Sequence, residues 1–164
     1  MNAEYAGQPL EILVFEVGGQ RHGLLSLHVQ ELLPVVTLTP LPQAPAHIEG
    51  IMNLRGRVVP VLDIRAWLRL PPKPPAPSDH LIVARTGDRL VALRVDRATE
   101  LVRLERDQVE HSRSLGVEGL NTGLIAKLPN DLVPIHDLEW FLSPAELAAL
   151  VRAVPALPLA EEEG

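Results

Sequence analysis

The sequence of 164 residues contains no cysteine, and aromatic residues make up only 3% of it. Without cysteine, a disulfide scaffold, a cysteine-ligated zinc site and a thiol nucleophile are all excluded. Two tryptophans, one tyrosine and two phenylalanines are also too few for the row of aromatic platforms on which single-stranded nucleic acids stack. Thiol chemistry is therefore excluded, and binding of single-stranded nucleic acid is disfavoured.

Positive charge is scarce as well, since 15 Lys and Arg stand against 21 Asp and Glu, for a net charge of −6. Nucleic acids and anionic membranes are bound largely through Lys and Arg, so neither is an expected partner. No stretch approaches the ~20 apolar residues that span a bilayer, and residues 1–20 do not resemble a signal peptide. We expect a soluble, cytoplasmic protein with no direct membrane insertion.

Short apolar runs dominate what is present. Apolar residues make up 46% of the chain, and its length suits one domain or two closely packed small ones. Runs rich in Val, Ile and Leu predict strands at 12–17, 23–27, 58–62, 81–84, 90–95 and 132–135. Turn residues such as Gly18-Gly19 and Pro129-Asn130-Asp131 lie between them. The pattern predicts a mainly β chain.

Two segments of the chain recur, and the recurrence predicts a duplicated fold. Gly19-Gln20-Arg21 and the strand after it reappear 68 positions later, from Gly87 onward. The segment 51–68 aligns with 125–142 at a shift of 74, which matches Asp63 to Asp137. Two similar small β-barrels packed together would account for both shifts, because barrel closure removes exposed sheet edges.

A proline-rich connector, residues 71–77, separates the two repeats. Five of its seven residues are proline, which predicts an extended, semi-rigid segment. We therefore expect a single domain over 8–150. Its parts are a first barrel at about 11–70, a second at about 79–142, and an amphipathic helix at about 143–154 introduced by a capping box. The acidic tail, 155–164, is expected to be frayed.

No motif in the sequence indicates catalysis or metal binding. Asp63 and Asp137 could form a carboxylate pair, but each follows a strand and precedes a helix-like segment, which favours helix capping. The six histidines are not at metal-ligand spacing, and there is no G-x-S-x-G elbow or glycine-rich phosphate loop. We predict no catalytic residues, no metal and no cofactor, and a protein that acts by holding others.

The turn Arg55-Gly56-Arg57 differs between the repeats. Leu54 recurs as Leu128, whereas Asn53, Arg55 and Gly56 have no counterpart in the second repeat. The shared residue would maintain the barrel, and the unshared Arg55 would serve something outside it. Alternatively, Arg55 and Arg57 are solvated charges of a turn, and spacing alone leaves both interpretations open.

The segment GIMNLRGRVVPVLDIR, residues 50–65, closely resembles the signature of the CheW family, the coupling proteins of bacterial chemosensory arrays. The resemblance extends from Leu13 to Leu142. It includes Leu13-Val14-Phe15, the segment 29–32 and Pro45 to Gly50 in the first repeat. Further landmarks are Gly87-Asp88-Arg89, Val95-Asp96 and Thr122-Gly123. The connector, Ala92 and His136 depart from the family pattern.

This resemblance implies a fold of two five-stranded, SH3-like β-barrels around a shared core. It also implies a non-enzymatic adaptor that joins the regulatory domain of a CheA-type histidine kinase to the cytoplasmic tip of a methyl-accepting chemotaxis receptor. The kinase contact is expected on the first barrel, at residues the sequence does not specify. The residues matching the family's receptor groove, or lying beside it in sequence, are Val29, Glu31, Gly50, Asn53, Arg55 and Leu101.

Three alternatives remain at this point. An adaptor of a surface-sensing or pilus-control pathway would share every feature above. A small-barrel nucleic-acid-binding module is a remote second, since it needs a basic stripe with stacking aromatics. A hydrolase that uses Asp63 and Asp137 is the remote enzymatic alternative.

Overall fold

The computed structural model describes residues 9–42, 48–87, 89–111 and 123–138. These residues form a mainly β structure. The first half contributes β1 (Leu10–Val17), β2 (Gln20–Leu25), β3 (Val29–Pro34), β4 (Ile48–Leu54) and β5 (Arg57–Asp63). The second half contributes β6 (His80–Thr86), β7 (Arg89–Val95), β8 (Arg97–Leu104), β9 (Val109–His111), β10 (Leu124–Leu128) and β11 (Asp131–His136). The helical pieces are α1 (Ile64–Trp67) and 3-10 turns at Ser26–His28 and Arg106–Gln108.

The six predicted strands correspond to β1, β2, β5, β6, β7 and β11, although β2 ends at Leu25 rather than at 27, because Ser26–His28 form a 3-10 turn. The strands β3, β4, β8, β9 and β10 were not among the predicted runs. The edge strands β3 and β8 contain few buried residues, and β3 alternates between half-buried and exposed positions, so neither forms a buried apolar run. Pairing with the neighbouring strand defines them instead. A period-two burial pattern is typical of strands with one solvated face.

The strands form two sheets, and each sheet takes strands from both halves of the chain. The six-stranded sheet has the order β8-β1-β2-β11-β10-β9, and the five-stranded sheet has the order β3-β6-β7-β5-β4. The predicted division into a barrel at 11–70 and another at 79–142 therefore does not match the sheets. Each half lends its first hairpin, β1–β2 or β6–β7, to the sheet that the other half completes.

Parallel junctions join the exchanged hairpins to their hosts. Strand β2 runs parallel to β11, and β7 runs parallel to β5, while the other pairings are antiparallel. The same arrangement of hairpins thus occurs twice, which is the physical basis of the two sequence shifts. The repeat is confirmed, but its units are interlocked rather than consecutive.

Three apolar clusters hold the sheets, and the largest lies between them. Successive side chains of a strand point to opposite faces, so a strand packed on both sides serves two clusters. On β1, Ile12 and Val14 enter the cluster of the six-stranded sheet, whereas Leu13 and Phe15 enter the shared one. The five-stranded sheet has its own cluster around Met52, Val59, Val61, Leu81 and Val83. The shared core predicted from the resemblance is confirmed.

Several predicted features lie outside the described residues. These are the C-terminal helix at 143–154, the acidic tail, and most of the landmark from Pro45 to Gly50. Among the residues that are described, no helix combines the length and apolar content needed to cross a bilayer. Asp63 caps α1 as predicted, because its Oδ1 accepts a hydrogen bond from the backbone N–H of Arg65 at 3.0 Å.

Candidate functional site

The turn between β4 and β5 carries Arg55 in a strained conformation. Arg55 and Gly56 have φ angles of 51° and 88°, so two consecutive residues are left-handed, as in the two-residue hairpin turns that suit strand twist. Asn53 supports the turn, since its Oδ1 accepts a hydrogen bond from the backbone N–H of Gly56 at 2.7 Å. A side chain as large as arginine is disfavoured at positive φ, and such strain is concentrated at functional positions.

Glu31 on the edge strand β3 fixes the direction of the Arg55 side chain. Arg55 Nη2 lies 2.5 Å from Glu31 Oε2, and the two side chains are 70% and 29% exposed. Exposed ion pairs of this kind contribute only about 0–1 kcal/mol to stability. The pair therefore orients the guanidinium while leaving most of its surface accessible to a partner.

A shallow pocket of about 190 Å³ opens beside this ion pair. Its lining combines apolar residues of the sheet with Arg55, Arg57 and Arg85. Arg57 and Arg85 are exposed. Neither forms a salt bridge with a carboxylate of the described residues. Three guanidinium groups beside a single carboxylate make this a locally positive surface on an acidic protein, suited to an acidic group on a partner.

An apolar strip runs along the opposite face of β3. Val29 packs against the shared core, and Leu32 stands opposite Ile82 of that core. In the six-stranded sheet, Leu101 on β8 stands opposite Leu13, and Leu13 belongs to the shared core. Leu101 itself is 59% exposed. Paired residues point to the same face, so both sheets contribute apolar side chains to the border of the shared core.

Comparison with known proteins identifies the chain. The family model of the CheW-like domain matches residues 11–146. The chain belongs to the CheW family. It is 32% identical over 149 residues to the chemotaxis protein CheW of Klebsiella aerogenes, covering 88% of this chain and 87% of that relative. It is 35% identical over 92 residues to CheW of Rhizobium meliloti, covering 56% of this chain and 59% of that relative.

A solved structure agrees with the family assignment. The scaffolding protein TtCheW from Thermoanaerobacter tengcongensis superposes with a TM-score of 0.76 at 25% identity, covering 83% of this chain and 94% of that one. The two SH3-like sheets described above thus form the CheW fold, with six strands in one sheet and five in the other. Chemotaxis is the setting named for these relatives.

Five of the six residues expected in the receptor groove of the CheW family fall into two groups, and Gly50 belongs to neither. Glu31, Asn53 and Arg55 come together at the turn, joined by the hydrogen bonds given above. Val29 and Leu101 lie along the shared core, on two different sheets. Strand β3 links the groups, because Val29 and Glu31 point to opposite faces on either side of a bulge.

Gly50 has an intramolecular explanation that the family resemblance did not provide. A Cβ at this buried position would lie 2.7 Å from the carbonyl oxygen of Thr39. Thr39 and Ile51 exchange two backbone hydrogen bonds of 2.9 Å, which hold this segment over β4. The backbone that approaches Gly50 is therefore the chain's own, and contact between Gly50 and a receptor stays a prediction.

Sequence reasoning missed Leu32 and Arg85. Leu32 was detectable in principle from the alternation along 29–34, once β3 is recognised as a strand with two different faces. Arg85 follows the predicted strand 81–84 directly, but its position beside Arg55 depends on the pairing of β6 with β3. No local signal contains that pairing.

Folding also brings together two histidines that no spacing rule connects. His22 Nδ1 and His136 Nε2 lie 2.9 Å apart in the interior. Burial lowers the pKa of His22 to about 4, and burial together with His22 lowers the pKa of His136 to about 3. Both imidazoles are therefore neutral at pH 7. Within the described part of the chain, no group of three or more metal-ligating side chains occurs.

Proposed function

We propose that this CheW-family chain is a non-enzymatic adaptor that couples the cytoplasmic tips of chemoreceptors to the regulatory domain of a CheA-type histidine kinase. The carrying observation is Arg55, which is mostly exposed, held in a strained turn and oriented by Glu31 beside an open pocket. A non-glycine residue with positive φ lowers the stability of the fold, and such residues are concentrated at binding sites.

The chemistry of the site suits a helical hairpin, which is the form of a receptor tip in the family. A helix lays apolar side chains into an apolar groove at spacings of three and four residues, and Val29, Leu32 and Leu101 offer aliphatic surface of that kind. Arg55 adds a planar fork of donors that can bind a carboxylate or a carbonyl of the helix in two places. Because the apolar strip and Arg55 lie on opposite faces of the edge strand β3, a helix that contacts both would lie across the edge of this strand.

The kinase contact is proposed for the first half of the chain, residues 11–70. Leu27 and Val36 are exposed apolar residues there and have no place in the receptor groove as described. The fully buried core of an interface is more apolar than the rest of the protein surface, so exposed apolar side chains are candidates for such a core. Receptor and kinase would then occupy different surfaces, as an adaptor requires.

The decisive test is the variant Arg55→Glu, measured by capture of a receptor cytoplasmic fragment. We expect capture to fall at least tenfold, because a carboxylate would replace the donor fork and repel Glu31 and an acidic partner. Binding to the kinase regulatory domain and the melting temperature should stay nearly unchanged. Arg106→Glu, the same change at an exposed site after β8, serves as the matched control.

A charge swap separates contact from support. The double variant Glu31→Arg/Arg55→Glu restores an ion pair across β3 and the turn, but it presents the wrong charge at position 55. If the swap recovers receptor capture, Arg55 acts only by supporting the turn. Capture by Arg55→Glu at the wild-type level would remove Arg55 from the site altogether.

A further inference from the structure

The proline-rich connector has a backbone whose conformation is largely set by its sequence. Each of its five prolines fixes its own φ near −65°, and each residue before a proline is driven to extended conformations. Residues 71–76 accordingly belong to no helix, strand or turn. Proline-rich backbone without helix or strand favours polyproline II, which has three residues per turn and no internal hydrogen bonds.

The chain holds this segment in place with two arginines. Arg65 Nη1 donates to the carbonyl of Pro71 at 3.2 Å, and Arg94 Nη2 donates to the carbonyl of Lys73 at 3.0 Å. At the far end, Asp79 Oδ2 accepts from the backbone N–H of Ala76 at 2.9 Å. The connector is thus attached at its beginning, middle and end.

These attachments belong to buried ionic groups, so they are rigid. The side chains of Arg94 and Asp79 are 3% and 1% exposed, and Arg94 Nη1 lies 2.8 Å from Asp79 Oδ2. Glu49 completes this group with a hydrogen bond of 2.7 Å from Arg94 Nε. Arg65 is held in turn by Asp96 at 2.9 Å. A connector that served only to join the two halves of the chain would not require hydrogen bonds from buried arginines to its carbonyl groups.

The outer surface of the connector is open. Residues 71–75 are all exposed, and only Ala76 is half-buried. A repeat of three residues per turn places Pro72 and Pro75 on one edge. Arg69 and Lys73 are exposed, and within the described residues neither forms a salt bridge within 4.0 Å, although Lys73 is one of the groups that lower the pKa of Asp96. In the sequence, Arg69, Pro72 and Pro75 have the spacing of a basic residue followed by a Pro-x-x-Pro pair. Arg69 itself, with a φ of 59°, lies in the turn that precedes the extended segment.

We propose that the connector is a preformed ligand for a partner domain whose groove is lined by aromatic side chains and flanked by carboxylates. Grooves of this kind recognise Pro-x-x-Pro segments because the rigid polyproline helix loses little entropy on binding. The carboxylates would complement Arg69 and Lys73. Within the described residues, the aromatic side chains are the buried Phe15 and the half-buried Trp67, so this part of the chain does not supply such a groove. The proposed partner is a different protein.

This surface is distinct from the receptor site. The connector is bound to Arg94, which stands opposite Asp63 at the end of β5, whereas Arg55 precedes the start of β5. A strand of seven residues is roughly 20 Å long at ~3.3 Å per residue. Both surfaces could be occupied at once, and the inference stands whether or not the receptor proposal is correct.

The test uses the full chain, titrated with an SH3 domain that takes Arg-x-x-Pro-x-x-Pro ligands and followed by NMR chemical shifts. We expect shifts confined to residues 69–76 and their neighbours, and binding at least as tight as that of a free peptide of residues 68–78. The variant Pro72→Ala/Pro75→Ala should bind at least tenfold more weakly, while Pro77→Ala should bind like the wild type. Both keep the carbonyls of Pro71 and Lys73, and a thermal melt checks their folding.

Arg69→Glu provides a second variant outside the proline segment, and it should weaken binding several-fold, more at low salt than at high salt. Equal binding by the wild type and the Pro72/Pro75 variant would overturn the proposal. So would a free peptide that binds while the folded chain does not, since the connector would then be blocked in the folded protein.

Discussion

The two sheets share one topology, yet they close their parallel junctions with different chemistry. In the five-stranded sheet, Arg94 on β7 lies at the junction with β5 and binds Asp79 and Glu49. In the six-stranded sheet, the neutral pair of His22 and His136 lies at the junction of β2 with β11. One junction is ionic and the other is uncharged.

This difference determines how each junction responds to a change of pH. Hydrogen bonds to Glu49 raise the pKa of Arg94 despite its burial, so Arg94 stays charged between pH 5 and pH 7. The histidines behave in the opposite way, because burial lowers the pKa of both and favours the neutral forms. The junction of β7 with β5 is therefore stabilised by a charged Arg94. The junction of β2 with β11 is destabilised when its histidines become charged.

The largest effect is expected from Arg94→Ala. This change leaves Asp79 and Glu49 without their cation in the interior, and breaking a buried ion pair on one side costs about 3–5 kcal/mol. We expect the free energy of unfolding to fall by about that amount in urea denaturation, since the connector also loses the bond at Lys73. Arg85→Ala, on the exposed face of neighbouring β6, is the control and should change stability little. If both variants lower the free energy of unfolding equally, the buried ion pairs of Arg94 do not stabilise the protein more than an exposed arginine does.

Acid should act on the other junction. A histidine whose folded pKa lies below its unfolded value of 6.5 contributes stability that is complete above pH 6.5 and is lost as pH falls toward the folded value. Two such histidines are expected to remove about 3–4 kcal/mol between pH 7 and pH 5. Urea denaturation at both pH values measures the loss. In His22→Leu/His136→Leu the difference should shrink markedly; an unchanged difference would assign the acid sensitivity to other groups.

The smallest effect concerns one glycine of each sheet. In Gly50→Ala the new Cβ would meet the backbone oxygen of Thr39 at 2.7 Å, whereas in Gly23→Ala it would meet the side-chain end of Ile12 at 2.9 Å. A flexible side chain can move more easily than a hydrogen-bonded backbone. We expect Gly50→Ala to lower the free energy of unfolding by about 1–3 kcal/mol, and Gly23→Ala to lower it less. If Gly23→Ala lowers the free energy of unfolding more than Gly50→Ala does, the backbone at Thr39 can move away from β4 easily.

Much of the fold could be predicted from the sequence because its signals are local. Apolar runs predicted the central strands, and the self-comparison predicted two similar units. The exchange of hairpins between the units was not predictable in this way, because β1 pairs with β8 and β2 with β11 across most of the chain. A proline-rich connector in the middle of the sequence suggests a division that the strand pairing does not follow.

The candidate site was predictable to a similar degree. The asymmetry of the repeats and the family resemblance led to Arg55 as a candidate, and the structure places it in a strained turn supported by Asn53; its role in receptor binding stays a prediction. Arg85 required the pairing of β3 with β6, which no local pattern contains. The histidine pair required the same kind of long-range contact, since its members are 114 positions apart in the sequence.

The exchange of hairpins also has a consequence for how the chain acquires its structure during synthesis. The hairpin β1–β2 is made first, but its neighbours β8 and β11 follow only after most of the chain has been made. Until then, β1 and β2 have unpaired edges, which are prone to pair with other chains. Contacts of such long sequence separation also slow folding. We therefore expect the nascent chain to fold late and to depend on protection of its first hairpin.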